Sequence, residues 1–462
     1  MKPVMKHTMA DEMPGAERGA LSIIASATFL ALVVFTAPLT TLDSMTDALR
    51  LTPDAQAWIM SGMPLGAACG LLTAGAIGDT LGRKRTFVGG LWLTVVSSVA
   101  AALAPDGTFL IAMRVIQGFG SAGIMACGLG LLGQIFHGES RRHAAAIWAA
   151  SLGGGVAAGP IIASLLLSAG GWQGIHWLIA LVSAGLAVAA AARLPESPRS
   201  GEKVDIAGSV LLMTGLGCLL AALTEARVGE AAMVATLCVA GVVLVLLFVV
   251  VETRVKNPIL TLDLFRDMNF TGATLAAFAS GAGVLALMSM VPTVLVRGLG
   301  KGPLFAAIVL VTWSGLTVVA ALCARFLPHR FSSRQRVIWS ILGCAFAQFL
   351  LIFADDGWTW AAVLPGLVLA GISNGILNAS LGHEAVQTVP LERTAMGSAA
   401  NNTARYLGSA IGIAMVSLLI SEPTVEGLFA GWHVAVLAST AISLFGVGAM
   451  LFVARRGAEG PS

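Results

Sequence analysis

The chain has 462 residues, of which 57% are hydrophobic and only 11% charged, with a formal net charge of +3. Soluble domains carry roughly 25% charged residues, so a surface facing mostly water is excluded, and the 54 glycines in so apolar a chain do not signal disorder. The six cysteines (Cys69, Cys127, Cys218, Cys238, Cys323 and Cys344) lie in apolar runs without CxxC spacing or a nearby His cluster. That excludes a disulfide framework and a metal site and marks them as small buried hydrophobes.

A helix needs about 20 apolar residues to cross a bilayer. The first 19 residues carry both signs of charge and precede an apolar run too long for a signal peptide, read here as an uncleaved first span. Runs of spanning length then follow at 20–42, 56–77, 86–104, 108–135, 143–167, 174–193, 206–224, 231–251, 271–294, 304–327, 335–353, 361–381, 394–420 and 432–454. Short connectors with turn residues join them, as at Pro105-Asp106-Gly107. The expected fold class is therefore an all-α polytopic membrane protein of fourteen helices.

Charge tests that count. Starting with the N-terminus inside and alternating sides, the outer loops hold only Arg50, Arg227, Arg297 and Lys301. Arg114 and Arg405 fall within spans, and every other Lys or Arg is inside. A miscount by one span would invert the later loops and erase this bias, so both termini are expected in the cytoplasm and the protein in the inner membrane. No connector is long enough to house a soluble domain, which favours transport over a membrane-anchored enzyme.

Two loops repeat. Gly75-Ala76-Ile77-Gly78-Asp79-Thr80-Leu81-Gly82-Arg83-Lys84-Arg85 follows the second span, and a basic stretch from Arg325 to Arg336 follows the second span of a later six. Leu152-Gly153 in the fifth span has a counterpart in Leu407-Gly408. The pattern divides the chain into a tail (1–19), a six-helix half (20–199), a two-helix insert (200–256), a second six-helix half (257–454) and a tail (455–462). Parallel repeats of this kind place a substrate site between the halves near mid-membrane.

The loop from Gly75 to Arg85 closely resembles the signature loop of the major facilitator superfamily. Gly75 and Gly82 would let backbones approach, Asp79 would pair with a cation or cap a helix, and Arg83, Lys84 and Arg85 would anchor the loop in the cytoplasm. Arg114-Val115-Ile116-Gln117-Gly118-Phe119-Gly120 is similar to a motif of the superfamily's efflux branch. Gly155-Val156-Ala157-Ala158-Gly159-Pro160 resembles its antiporter motif, with glycines for close helix contact and a proline bend. Glu252 to Arg266 and Asn401 to Gly408 are similar to stretches of the fourteen-span drug:proton antiporters. The resemblance implies a major facilitator fold of two six-helix bundles plus a two-helix insert. It also implies expulsion of small amphipathic molecules in exchange for protons, in a lipid bilayer, by a monomer without cofactor, metal or nucleic acid. The alternative is an uptake symporter for a small anionic metabolite.

The family commonly carries an Asp in the first span, near the position of Phe29, and this chain has no acid there before Asp43. No acidic residue falls near mid-membrane, so proton-coupling candidates are Asp43, His383 and Glu384, although a solvated loop pair is also a reading of the last two. With Arg114 in a span and no central acid, neutral or anionic compounds are expected to be favoured over lipophilic dications. Arg114 and Gln117 share a helix face and are expected to line the cavity, the other reading of Arg114 being a clamp on helix-end carbonyls. Asn374 and Asn378 would bond either substrate or neighbouring helices. Met288 and Trp313 would supply an adaptable apolar wall, Arg405 would snorkel to the interface, and His176 would sit at the interface beside Trp172 and Trp177.

Overall fold

In the computed structural model, the described residues are 15–197, 205–226, 230–256, 258–324, 327, 331–355, 357, 359–387, 389 and 394–458. The first unit contains α1 (Gly15–Thr36), α2 (Pro38–Leu49), α3 (Pro53–Leu81), α4 (Arg83–Ala102), α5 (Gly107–Ile135), α6 (Gly138–Gly170) and α7 (Gln173–Arg193). A hairpin follows, α8 (Ile206–Glu225) and α9 (Ala231–Glu252). The remainder is α10 (Met268–Ala279), α11 (Ala286–Thr293), α12 (Pro303–Cys323), α13 (Ser333–Leu350), α14 (Leu364–Gln387), α15 (Thr394–Leu419) and α16 (Val425–Ala458). α10 and α11 form one continuous span, Met268–Gly298, through π-helical turns at Ser280–Leu285 and Val294–Gly298.

Helix ends follow local chemistry. Asp106 caps α5 by accepting from the Phe109 amide at 2.8 Å, and Ser332 with Gln335 forms a capping box at α13. Prolines occupy the first positions of α2, α3 and α12, where no amide partner is lost. Gly82 ends α3 at φ 110°, a backbone state that a side chain would strain.

Among the described residues, thirteen of the spans are long and apolar enough to cross a membrane on length and composition. The fourteenth, α15, is long enough at 26 residues but begins on the polar stretch from Thr394 to Asn402. Polar residues can sit in that helix because it packs on α3 and on the π turn of the ninth span rather than on lipid. At the other extreme, α9 is 11% buried over its most apolar window, so its surface is lipid-facing. Cys238 on α9 and Cys323 on α12 are exposed and Cys218 on α8 is half-buried, a correction to the expectation that all six cysteines are buried.

The apolar core is not uniform. One large cluster joins Val33, Leu39, Met45 and Ile59 of the first unit to Met288, Val291, Leu295 and Trp432 of the last, uniting them at the end away from the N-terminus. Near the N-terminal end, Ala20, Ile24, Phe87, Leu131 and Leu194 make a separate core within the first unit alone. A third cluster sits where the hairpin leans on α3 and α15, with Leu212, Leu216 and Phe248 against Leu65, Ala400 and Ala410.

Candidate transport pathway

Arg114 is 0% exposed. Its Nη1 donates to the Val34 carbonyl at 2.7 Å and to Gln117 Oε1 at 2.8 Å, its Nε to the Ile59 carbonyl at 3.2 Å, and its Nη2 to the Phe35 carbonyl at 3.4 Å. The cause lies in another helix. Pro38 has no amide proton, so the Val34 carbonyl four residues earlier loses its helical partner, and the guanidinium replaces it. Ile59 lies one residue before the carbonyl that Pro64 leaves open within α3. Arg114 therefore fills the Pro38 break, braces α3 through Ile59, and does not face an open cavity in this conformation, which corrects the cavity expectation. Gln117, equally buried, passes the network on by donating from Nε2 to Ser98 Oγ at 3.0 Å, with His176 Nδ1 at 3.4 Å. His176 is fully enclosed with Trp172 edge-on at 5.9 Å, while Trp177 is exposed. His176 is thus a network member, not an interface residue.

The last unit has its own polar centre. Arg405 is half-buried and donates to Asn378 Oδ1 at 3.0 Å and to Asn402 Oδ1 at 2.8 Å. It does not snorkel to the interface, because two amides within reach satisfy it. No carboxylate pairs with it among the described residues. Asn374, one turn from Asn378 and 2% exposed, has an Oδ1 without a hydrogen-bond partner. Beside this group the Tyr406 hydroxyl contacts Met125 Sδ of the first unit at 3.4 Å. Met288 and Trp313 are buried in the joint core, so neither forms an accessible wall in this conformation.

The antiporter-type glycines meet α1. A Cβ on Gly155 would collide with the Phe29 carbonyl and Leu32, and one on Gly159 with Thr36 and Val33. Thr40 Oγ1 donates to the Pro160 carbonyl at 3.1 Å, tying α2 to the bend. One turn away, Gly153 faces Val318 of α12, so α6 touches both units. Phe29, where the family carries an acid, opens on an apolar crevice of about 430 Å³ between α1, α6 and α7.

In the signature loop, Asp79 pairs with Arg83 at 2.9 Å, as its spacing suggests. Arg83 also donates from Nη1 to the Gly130 carbonyl at 3.2 Å. Gly75 has no neighbour within 4 Å of a built Cβ, so it permits no close approach, contrary to expectation. Gly82 does, against the Glu196 carboxylate. Glu196 accepts from the Lys84 amide at 3.2 Å and lies 3.4 Å from Arg85 Nε, while Ser197 Oγ accepts from the Arg83 amide at 2.7 Å. Glu196 and Ser197 are functional candidates that sequence reasoning missed, because their loop carries Glu196, Glu202 and Asp205 beside Arg199 and Lys203 and charge alone does not single them out.

At the far end, Asp43 of α2 lies in the field of Arg297, whose Nη2 donates to the Glu422 carbonyl at 3.1 Å. Burial pushes the Asp43 carboxyl above its ordinary value, Arg297 pulls it back, and Asp47 pushes it up again. Glu384 is not a solvated loop residue: it is 6% exposed and 3.7 Å from Arg334 Nε. The side chain of His383 lies outside the described residues.

The sequence model of the Major Facilitator Superfamily matches residues 24–413. Among curated proteins, the multidrug efflux pump LfrA of Mycolicibacterium smegmatis is 28% identical over 406 residues, covering 87% of this chain and 80% of that protein. The methylenomycin A resistance protein of Bacillus subtilis is 28% identical over 382 residues, 81% of this chain and 82% of its own length. Among solved structures, a D-xylose–proton symporter superposes with a TM-score of 0.66 at 14% identity, covering 95% of this chain and 96% of that one, a likeness of fold. A multi-pass helical chain whose sequence matches the family over this length belongs to the major facilitator superfamily.

Proposed function

We propose that this protein is a secondary active exporter that expels small amphipathic molecules across the inner membrane, exchanging them for protons by alternating access. The observation that carries the reading is α6, whose Gly155 and Gly159 grip α1 while Gly153 meets α12 of the other unit. A helix seated on both units by its glycines is placed to set how they rock. The names of relatives such as LfrA and the methylenomycin A resistance protein support export as the direction.

On this reading the units are the two six-helix halves (20–199 and 257–454) around the 200–256 insert, with tails 1–19 and 455–462 in the cytoplasm and a monomer as the working form. The inner loops' positive charge supports that orientation. The joint core at the far end supports a conformation closed towards the outside. Substrates pass between the halves beside Arg405, Asn374 and Asn378, a polar group with a cation and no acid, which favours neutral or anionic compounds over dications. Arg114 and Gln117 hold the first half's bent helices, and Gly75, Asp79, Gly82, Arg83 and Lys84 form the inner hinge loop with Glu196. Asp43 and Glu384, with His383, are the proton-coupling candidates in the halves.

A deletion strain and an overexpressor grown against a chemically diverse toxin panel test the proposal. The overexpressor is expected to survive higher doses of several amphipathic compounds, and accumulation of those compounds is expected to fall. Unchanged survival across the panel, with the protein present in the membrane, would overturn it.

A further inference from the structure

The base of the insert hairpin holds a feature that export through the halves does not use. Asp205 precedes α8 and accepts from the Gly208 amide through Oδ1 at 2.9 Å. Glu252 ends α9 and accepts from the Leu260 amide through Oε2 at 3.1 Å. Both side chains are more than nine-tenths buried, with relative exposures of 7% and 4%. Their second oxygens, Asp205 Oδ2 and Glu252 Oε1, have no hydrogen-bond partner. A Cβ built on Gly208 would collide with both of these oxygens, so they converge over the same glycine.

Two buried carboxylates that converge without a cation cannot both ionise cheaply. No positive charge compensates them among the described residues. Arg254 and Lys256 on the following segment are exposed, Arg266 pairs with Asp263, and Arg405 of the adjoining α15 is held by two asparagines. On α3, Asp79 is paired with Arg83, and the contact from that helix is neutral, Thr73 Oγ1 donating to Ser209 Oγ at 3.0 Å. The charge that Glu252 meets is Asp205 itself.

We propose that Asp205 and Glu252 form a proton-binding site, one hydrogen being shared between Asp205 Oδ2 and Glu252 Oε1. The proton comes from water, one carboxylate becomes a carboxylic acid, and the pair's charge changes from −2 to −1. The O–H···O bond then satisfies both orphaned oxygens. Loss of the proton to water leaves two like charges over Gly208, and their repulsion loads the hairpin base against the linker, which Glu252 holds through its contact with the Leu260 amide. That contact anchors the linker into α10, which also reaches α15 through the Thr261 amide and Met396 Sδ at 3.3 Å. The site therefore ties hairpin, linker and last unit together in a pH-dependent way, whatever the substrate and direction of transport.

Infrared spectra of the purified protein in lipid nanodiscs, together with amide hydrogen exchange, provide the test. A protonated-carboxyl band is expected in wild type at neutral pH, lost in alkaline buffer and absent from both D205N and E252Q. A band that survives either single substitution would overturn sharing, and absence of any such band in wild type would overturn the site. Should the variants fail to fold, the wild type alone decides. Exchange across 258–264, corrected for the intrinsic rate, is expected to accelerate about tenfold or more from mildly acidic to mildly alkaline buffer as like-charge repulsion appears. A flat profile would overturn the proposal.

Discussion

Replacement of Arg114 by Ala distinguishes a clamp from a ligand group. The side chain makes four hydrogen bonds, three of them to backbone carbonyls in α1 and α3. Interhelical hydrogen bonds in membrane proteins average about 0.6 kcal/mol and reach about 1.7, so the four together contribute roughly 2.5–7 kcal/mol. Removing an in-span arginine returns roughly 2.5–3.5 kcal/mol of insertion cost. Taking the middle of each range, the net destabilisation is expected to be about 2 kcal/mol. Unfolding of wild type and Arg114→Ala in bicelles measures it. Pro38→Ala restores an amide donor to Val34, so in that background Arg114→Ala is expected to cost about 1 kcal/mol less, a coupling read from the double-mutant cycle. An Arg114→Ala protein of unchanged stability that fails to bind substrate would refute the clamp and return Arg114 to the pathway.

Gly155→Leu is expected to abolish transport, because its side chain would enter the Phe29 backbone of α1; drug accumulation in cells, with membrane expression as control, reads this. Glu196→Ala frees the Lys84 amide and Arg85, and transport is expected to slow several-fold with substrate binding retained, measured by separate binding and flux assays. Asp43 has a raised carboxyl, so its contribution to stability is present at low pH and is lost as pH rises from the ordinary carboxylate range through its higher folded value. Asp43→Asn should flatten that part of the pH–stability profile, seen by thermal unfolding at several pH values. Arg405→Gln should weaken anionic substrates about 10- to 100-fold, the span of one or two charge-assisted bonds, while leaving neutral ones within a few-fold, by competition binding.

The spans were legible because a bilayer demands about 20 apolar residues in a row and the positive loops fixed their parity. Even α15, whose start from Thr394 to Asn402 is polar, falls within one of those runs at 394–420. The polar interior was harder to read. Arg114 and Gln117 were paired by their three-residue spacing, yet the α1 carbonyl that Arg114 holds is freed by Pro38 of α2, more than 70 residues away. Glu384 reads as a loop acid until Arg334 of α13 is brought beside it. Asp205 and Glu252 are 47 positions apart and reach each other only because α8 and α9 fold back as a hairpin. Spacing along one helix reveals a shared face, whereas partners across helices depend on packing that no single stretch encodes.

Direction and coupling are tested most directly in inside-out membrane vesicles loaded to an acidic lumen, with a fluorescent amphipathic anion supplied outside. Accumulation of the dye in the lumen, abolished by a protonophore and absent from vesicles carrying Gly155→Leu, is the expected result. Accumulation in right-side-out vesicles down an inward proton gradient, with none in inside-out ones, would contradict export and identify an uptake symporter.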